Sequence, residues 1–134
     1  KILGPDEETN TNIVPNEDEL RTWRTGMKAM AALPHVYVKI SMLGYAVPGW
    51  IRAPERVALT KQLCQEIVQL FGPNRCIINL NWWKIGSLSD SDGLSDVGPD
   101  PPQFLEYMMT FFEDCSEEDQ HELFVGSAKR FYNI

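Results

Sequence analysis

The chain has 134 residues, and its 19 acidic and 12 basic side chains give a net charge of −7. That length is typical of one domain, and a hydrophobic content of 43% is too high for a disordered acidic tail. The acidic balance and the scattered basic residues argue against nucleic acid or an anionic membrane surface as a partner. Charged residues and prolines interrupt every apolar run before it reaches the roughly 18 residues of a membrane span.

The first residue and the cysteines bear on processing and on the redox environment of the chain. The sequence begins with Lys1 and shows no targeting segment there, so we expect a processed chain or a part of a longer one. Cys64, Cys76 and Cys115 lie far apart without a CxxC pair. Such a set is typical of reduced core thiols. The sequence therefore predicts an intracellular, reducing location, without a disulfide framework or a zinc site.

The first half of the chain predicts a helix, a strand and a loop. A polar segment over residues 5–16 ends at Asn16, which with Glu19 forms a capping pattern. The helix that follows is expected to stop at Leu33-Pro34. The β-branched and aromatic segment His35–Ser41 predicts a strand, and Met42–Ala53 predicts a loop. The helix carries one apolar stripe at spacings of three and four: Leu20, Trp23, Met27, Met30 and Ala31.

The second half repeats the pattern and ends in two helices. Pro54 suits the first turn of a helix that Gly72-Pro73 terminates, and Arg75–Asn81 predicts a second buried strand. Residues 84–100 predict a long loop. Asp100 and Ser116 are predicted to begin the last two helices. The helix that begins at Pro54 has one recurring side, with Val57, Lys61, Cys64, Ile67 or Val68 and Phe71. The helix after Asp100 carries Phe104, Leu105, Met108, Phe111 and Phe112. The helix after Ser116 carries Leu123, Phe124, Ala128 and Phe131.

Helices that alternate with short buried strands indicate an α/β fold with a parallel sheet, in which sites form at the carboxyl ends of strands. The period of two places Lys39 and Ser41 on one face of the first strand, and Asn79 and Asn81 on one face of the second. Polar groups inside apolar strands are costly unless they are paired or face water. They therefore line either a pocket or a satisfied polar layer inside a barrel.

The residues around these strand ends leave further alternatives open. Trp82 and Trp83 follow the second strand and serve either as packing residues or as a pocket wall. His35 precedes its strand and His121 lies in an acidic helix, so neither is predicted to bind a metal. The segment Asp90–Gly93 fails the calcium-loop template because Leu88 and Pro99 stand where carboxylates are required. No phosphate loop and no nucleophile motif are present.

Three segments together resemble family 2 amidohydrolase-related proteins. Met30–Ser41 is similar to their "LA-LPNV-VK-SG" segment, Phe71–Trp82 to "FGPDRCMFGSNWP", and Leu123–Tyr132 to "LF-GNA-RFY". The opening Ile2-Leu3-Gly4-Pro5 is similar to "HLG-P". The three main matches keep their order across residues 20–134. The resemblance implies that residues 1–134 form a single partial domain, the C-terminal portion of a (β/α)₈ TIM barrel, with its last three βα units.

The resemblance also implies a function for the complete barrel. Family members hydrolyse or decarboxylate cyclic esters, lactones and related acids, and dicarboxylate lactonase-like members need no metal. One divalent metal, Zn or Mn, and metal-independent chemistry are therefore equally compatible with it. Asn81 stands at the family's catalytic Asp or Asn position and would orient water or substrate. Ser41, Tyr45 and Trp82 would contact a small-molecule substrate. The rest of the barrel, from the same or another chain, would be the partner.

The departures from the family pattern give a second hypothesis. Ile2 falls where the family usually has His, Asn79-Leu80 replaces Gly-Ser, and Trp83 replaces Pro. A neutral Asn81 cannot take up a proton near pH 7. The alternative is thus a catalytically inactive barrel, retained as a structural or interaction subunit of a larger assembly. A small independent α/β binding module ranks below both, because three strands outside a closed barrel would leave edges exposed.

Overall fold

A computed structural model describes residue 2, residues 14–80 and residues 99–134 of the chain. The five α-helices of these parts are α1 (Glu17–Ala31), α2 (Pro54–Phe71), α3 (Pro101–Phe111), α4 (Glu117–His121) and α5 (Ser127–Tyr132). The two strands are β1 (Val38–Ile40) and β2 (Cys76–Ile78). Short 3₁₀ turns span Leu43–Tyr45 and Pro73–Arg75, and one π-helical turn, Glu122–Gly126, joins α4 to α5. No helix of the described residues is long and apolar enough to cross a membrane.

Polar side chains begin three of the helices as the sequence predicts. The Asn16 side chain accepts hydrogen bonds from the backbone N–H groups of Asp18 and Glu19, both at 3.1 Å. Asp100 accepts from Gln103 N at 2.9 Å, and Ser116 accepts from Asp119 N at 3.1 Å. Each cap satisfies backbone donors that the first helical turn leaves unpaired. The predicted start of each of these helices is therefore confirmed.

The two strands pair in parallel, which confirms the predicted parallel arrangement. Val38 lies opposite Cys76, Lys39 opposite Ile77 and Ile40 opposite Ile78. Each strand is three residues long, shorter than the seven-residue segments predicted for residues 35–41 and 75–81. At the carboxyl end of β1 the chain turns immediately after Ser41, where Met42 adopts a left-handed conformation with φ 51°.

The core lies where α1 and α2 pack beside the sheet and where α3 and the C-terminal helices close against them. Its buried members include Leu20, Ile40, Leu63, Phe71, Cys76, Phe104, Met108 and Leu123. Trp50 belongs to the same core and makes edge contacts with Tyr107 and Phe104, with ring centroids 4.9 and 6.5 Å apart. Aromatic pairs of this geometry stabilise beyond their buried area. The loop after β1 is thus fastened to α3.

Several predicted core positions are wrong. Met30 is 48% exposed, and Leu105 and Phe131 are exposed as well. On α2 the fully buried side chains are Arg56, Thr60, Leu63, Cys64 and Phe71, so the buried face is rotated from the predicted stripe. Thr60 can be buried because its hydroxyl donates to the Arg56 carbonyl at 2.8 Å. A pattern of apolar residues alone does not detect a polar residue that is satisfied locally.

The segment between α2 and β2 joins distant parts of the chain. Gly72 ends α2 with φ 79°, and its N–H donates to the Val68 carbonyl at 2.9 Å. This positive φ strains any residue with a side chain, and a Cβ at Gly72 would also lie 2.9 Å from Asn74 Oδ1, so glycine is favoured here. The buried Ser127 hydroxyl donates to the Pro73 carbonyl at 2.9 Å. These contacts fix the C-terminal helix against the segment that precedes β2.

Candidate functional site at the carboxyl ends of the strands

The carboxyl ends of β1 and β2 bring two of the predicted polar residues to one edge of the sheet. The pairing register, continued by one residue, places Ser41 opposite Asn79. The Asn79 N–H donates to the Ile40 carbonyl at 3.1 Å, which extends the pairing to this point. Both residues are half-buried. This edge is where ligands bind in parallel α/β folds, and Ser41 and Asn79 offer hydrogen-bonding groups there.

The 3₁₀ turn Leu43–Tyr45 leads the chain away from this edge toward α1. The side chain of Tyr45 is 40% exposed and lines a recess of about 280 Å³ together with Ile2, Glu19, Trp23 and Ala46. The Ile2 N–H donates to the Ala46 carbonyl at 3.1 Å, and the Asn16 N–H donates to the Ile2 carbonyl at 2.9 Å. Ile2 is itself buried. Tyr45 therefore lies on the α1 side of the strand ends.

Lys39 shares a sheet face with Ser41, but its amine is directed toward the C-terminal helix. Its Nζ lies 5.2 Å from the centroid of the Tyr132 ring, a cation–π distance. Tyr37, two residues earlier on the same face, contacts Phe131 with ring centroids 5.1 Å apart. The C-terminal residues thus cover the amino-terminal side of this face. The structure gives Lys39 a packing partner there.

The loop after β1 buries two donors that the sequence analysis missed. Arg56, in the first turn of α2, is 1% exposed, and its Nη1 donates to the Pro48 carbonyl at 2.7 Å. Trp50 is also 1% exposed. Arg56 Nη2 and Trp50 Nε1 have no acceptor among the described residues. Arg56, Thr60 and Leu63 are four and three residues apart, which is the spacing of residues on one face of a helix. That spacing is the signal in the sequence that could have placed Arg56 on the buried face of α2.

The cysteines offer no activated thiol in the part of the chain that the structure describes. Cys64, Cys76 and Cys115 are free thiols. Burial raises the pKa of Cys64 and of Cys76 to about 12, and it also raises the pKa of Cys115. Thiols with such pKa values are poor nucleophiles at neutral pH. Among the described residues, no group of three His, Cys, Asp or Glu side chains could hold a metal ion.

Two of the predicted site residues, Asn81 and Trp82, lie outside the described residues. The same holds for Trp83 and for the segment Asp90–Gly93. The roles assigned to Asn81 and Trp82, and the substrate contacts assigned to Ser41 and Tyr45, stay predictions. The structure establishes the parallel pair of strand ends at Ser41 and Asn79. In the sequence, Asn81 follows Asn79 by two residues.

Comparison with known proteins gives a structural likeness. No protein-family model and no curated protein matches the chain. An amidohydrolase from Burkholderia multivorans with bound HEPES has 23% sequence identity to the chain and a TM-score of 0.71, and the match covers 89% of this chain and 39% of that one. A second crystal form, with bound zinc, gives 22% identity, a TM-score of 0.70, and 88% and 39% coverage.

The likeness establishes the fold of the chain as that of a part of an amidohydrolase. The chain spans about two fifths of the length of the amidohydrolase that it matches. The small parallel sheet with its surrounding helices is therefore similar to one portion of a larger structure. This agrees with the fold that the resemblance in the sequence implies, and it does not distinguish a lactonase-like subfamily.

Proposed function

We propose that the chain supplies the last βα units of an amidohydrolase-like (β/α)₈ barrel, and that the complete protein hydrolyses a cyclic ester, a lactone or a related small carboxylic acid. The observation that carries the proposal is the parallel pair of strands whose carboxyl ends hold Ser41 and Asn79, in a chain that is similar to 39% of an amidohydrolase. The rest of the barrel, from the same chain or another, would pack beside β1 and β2 and cover their open edges.

In the proposed site the residues of this chain position the substrate and the attacking water. Asn81, which follows β2, would hold the water or the polarised carbonyl through its amide group. Ser41 would donate a hydrogen bond from the adjacent strand end, and Tyr45 and Trp82 would shape the pocket. Since a neutral amide is not a base, the group that takes up the proton would come from the rest of the barrel.

A metal in the complete protein would require ligands from outside this chain's described residues. One crystal form of the Burkholderia multivorans amidohydrolase holds zinc. The described residues of this chain offer no set of three ligands, so we assign no step of the reaction to a metal. Zn, Mn and metal-independent chemistry remain open for the complete barrel. From the sparse cysteines of the sequence, without a CxxC pair, we also propose a reducing, intracellular location.

The test is hydrolysis of a panel of cyclic lactones by the full-length protein, with and without added Zn²⁺ or Mn²⁺. We expect Asn81→Ala to lower kcat by about a hundredfold, as the loss of one positioned hydrogen-bonding group does in other hydrolases. Asn74→Ala is the matched control, because Asn74 is an exposed residue before β2, at the opposite end of the strand. Equal activity of the wild type and Asn81→Ala would refute the role of Asn81.

A second candidate function is that of an inactive barrel that serves as a structural or interaction subunit. One observation favours it: Ile2, at the position where the resemblance expects a histidine, is a buried apolar residue with its backbone groups bonded to Ala46 and Asn16. The lactone panel separates the two functions. Turnover by the wild-type protein supports the hydrolase, whereas a folded full-length protein without turnover under any metal condition supports the inactive barrel.

A further inference from the structure

A groove between α2 and α3 lies outside the candidate site at the strand ends. It has a volume of about 310 Å³. Val57 and Lys61 line it from α2, and Gln103, Glu106 and Thr110 line it from α3. In the part of the chain that the structure describes, no strand residue lines this α2–α3 groove. Both walls belong to this chain, so they do not depend on the rest of the proposed barrel.

The α2–α3 groove has an apolar floor, which Tyr107 and Phe111 form together with Val57. The Tyr107 and Phe111 rings lie 4.9 and 6.0 Å from the ring of the buried Trp50, measured between ring centroids. The core therefore holds both rings in place. From Gln103 to Phe111 the α3 wall rises by about 12 Å, which is two helical turns. A docked helical peptide covers a similar length, whereas a single small cation would fill only a part of it.

The charge that is left without a partner in the α2–α3 groove is negative. Lys61 Nζ donates to the Thr110 carbonyl at 3.4 Å and lies 4.0 Å from a Glu113 carboxylate oxygen. The Glu106 side chain is exposed, and its carboxylate has no ion-pair partner among the described residues. Interfaces favour a partner of complementary charge, and the net charge of −7 attracts a cationic partner from a distance. The groove therefore favours a segment that combines an apolar side chain with a positive charge.

We propose that the α2–α3 groove is a docking site for a helical segment of a partner protein, which places an apolar side chain on the floor and an arginine beside Glu106. Arginine fits this place better than lysine, because a guanidinium pairs with a carboxylate in a planar fork and also stacks on an aromatic ring such as that of Tyr107. On a helix, two side chains four positions apart share one face and reach the groove together. This inference does not rest on the proposed hydrolase function.

The first experiment measures the contribution of the charge pair. The probe is a fluorescently labelled, alanine-based helical peptide with a leucine and, four positions later, an arginine; a second peptide has citrulline, a neutral isostere, in place of the arginine. Each peptide is titrated against the full-length protein by fluorescence anisotropy at low ionic strength. We expect the arginine peptide to bind three- to tenfold more tightly than the citrulline peptide. Glu106→Gln should remove this difference, whereas Glu118→Gln, which removes the same charge from α4, should preserve it.

The second experiment fills the groove. Thr110 is exposed, so Thr110→Trp should leave the protein folded by circular dichroism and weaken the binding of both peptides at least tenfold, because the larger side chain occupies the floor. The inference is overturned if the arginine peptide does not bind, if the citrulline peptide binds equally well, or if Glu106→Gln or Thr110→Trp leaves binding unchanged. It is also overturned if butylguanidinium alone binds as tightly as the arginine peptide, since the groove would then be a site for small cations. Neither experiment measures turnover, so an inactive protein in the lactone panel would not affect this inference.

Discussion

Arg75 provides the sharpest test of how the fold is held together. Its Nε donates to the Phe71 carbonyl at 2.9 Å, at the end of α2. Its Nη1 and Nη2 donate to the Leu33 and Ala31 carbonyls at 2.8 and 3.0 Å, at the end of α1. One side chain thus satisfies the terminal carbonyls of two helices, where a positive charge is also favoured by both helix dipoles.

The magnitude follows from these three short hydrogen bonds. A net contribution of about 0.5–1.5 kcal/mol for each bond predicts that Arg75→Met lowers the free energy of unfolding by about 2–4 kcal/mol. Arg75→Lys should recover a minor part of this, because a single ammonium cannot reach both helix ends with the geometry of the fork. Urea unfolding of the full-length protein, analysed for midpoint and slope, measures both values.

The matched control for Arg75 is Arg21→Met. Arg21 lies on α1 and, among the described residues, pairs only with Asp18, three residues before it; both side chains are largely exposed. Exposed pairs of this kind contribute little, so we expect a change within about 0.5 kcal/mol. The reasoning is refuted if Arg75→Met unfolds within about 0.5 kcal/mol of the wild type, or if Arg21→Met costs as much as Arg75→Met.

Three further predictions concern a charged pair, two thiols and a glycine. Arg24 holds the pKa of Glu66 below its usual value, so Glu66→Gln should cost about 0.5–1 kcal/mol at pH 7. This cost should shrink as pH falls through the folded pKa, because the carboxylate contributes its stability fully only above its unfolded pKa. Ellman's reagent at pH 8 should label Cys64 and Cys76 only on unfolding, since both have a pKa of about 12. Gly72→Ala should destabilise by about 1–3 kcal/mol in urea unfolding, because its φ is positive.

Each of these predictions has an internal comparison. Glu113→Gln should cost less than Glu66→Gln at pH 7, because Glu113 is 61% exposed and lies 4.0 Å from Lys61. Cys115 is only partly buried and should be labelled before the other two thiols. Gly26→Ala should leave stability unchanged or raise it, since a Cβ there meets nothing within 4 Å and α1 continues through it. If the two glutamate variants, the three thiols or the two glycine variants behaved alike, the contacts and the burial described for these residues would be wrong.

The order of elements was predictable because it depends on local signals. Asn16, Asp100 and Ser116 begin helices with side-chain caps, and Gly72 ends α2, as their residue types indicate. The continuous helical path from α4 to α5 was predicted as one helix. The π-helical turn between them was not, because an i to i+5 hydrogen bond leaves no pattern in residue types.

The buried faces were less predictable because tertiary contacts decide them. Arg56 and Thr60 are hydrophilic residues on the buried side of α2, and the contacts that admit them, to Pro48 and to the helix backbone, are not visible in hydrophobic periodicity. Met30 continues the apolar spacing of α1 but lies near its last turn, where no described element covers it fully. Periodicity identified the helices and misplaced part of their faces.

In the candidate site, too, the strand positions were predictable from local sequence, whereas the directions of the side chains were not. The sequence placed Ser41 and Asn79 at strand ends, and the parallel register confirms that these ends lie together. The period of two could not show that Tyr45 turns toward α1, or that Lys39 stacks on Tyr132, because both depend on a left-handed residue and on the C-terminal helix. The direction of side chains that follow a strand depends on the turn there. The turn at Met42 was not predictable, because a left-handed residue is usually glycine and this one is methionine.

Native mass spectrometry tests most directly the claim that this chain is one part of a larger barrel. The chain alone has a mass of 15.3 kDa and corresponds to 39% of the amidohydrolase that it resembles. The smallest folded species isolated from its source should therefore have at least about twice that mass, whether the remainder belongs to the same polypeptide or to a bound one. A folded, monomeric species of 15.3 kDa would contradict the account.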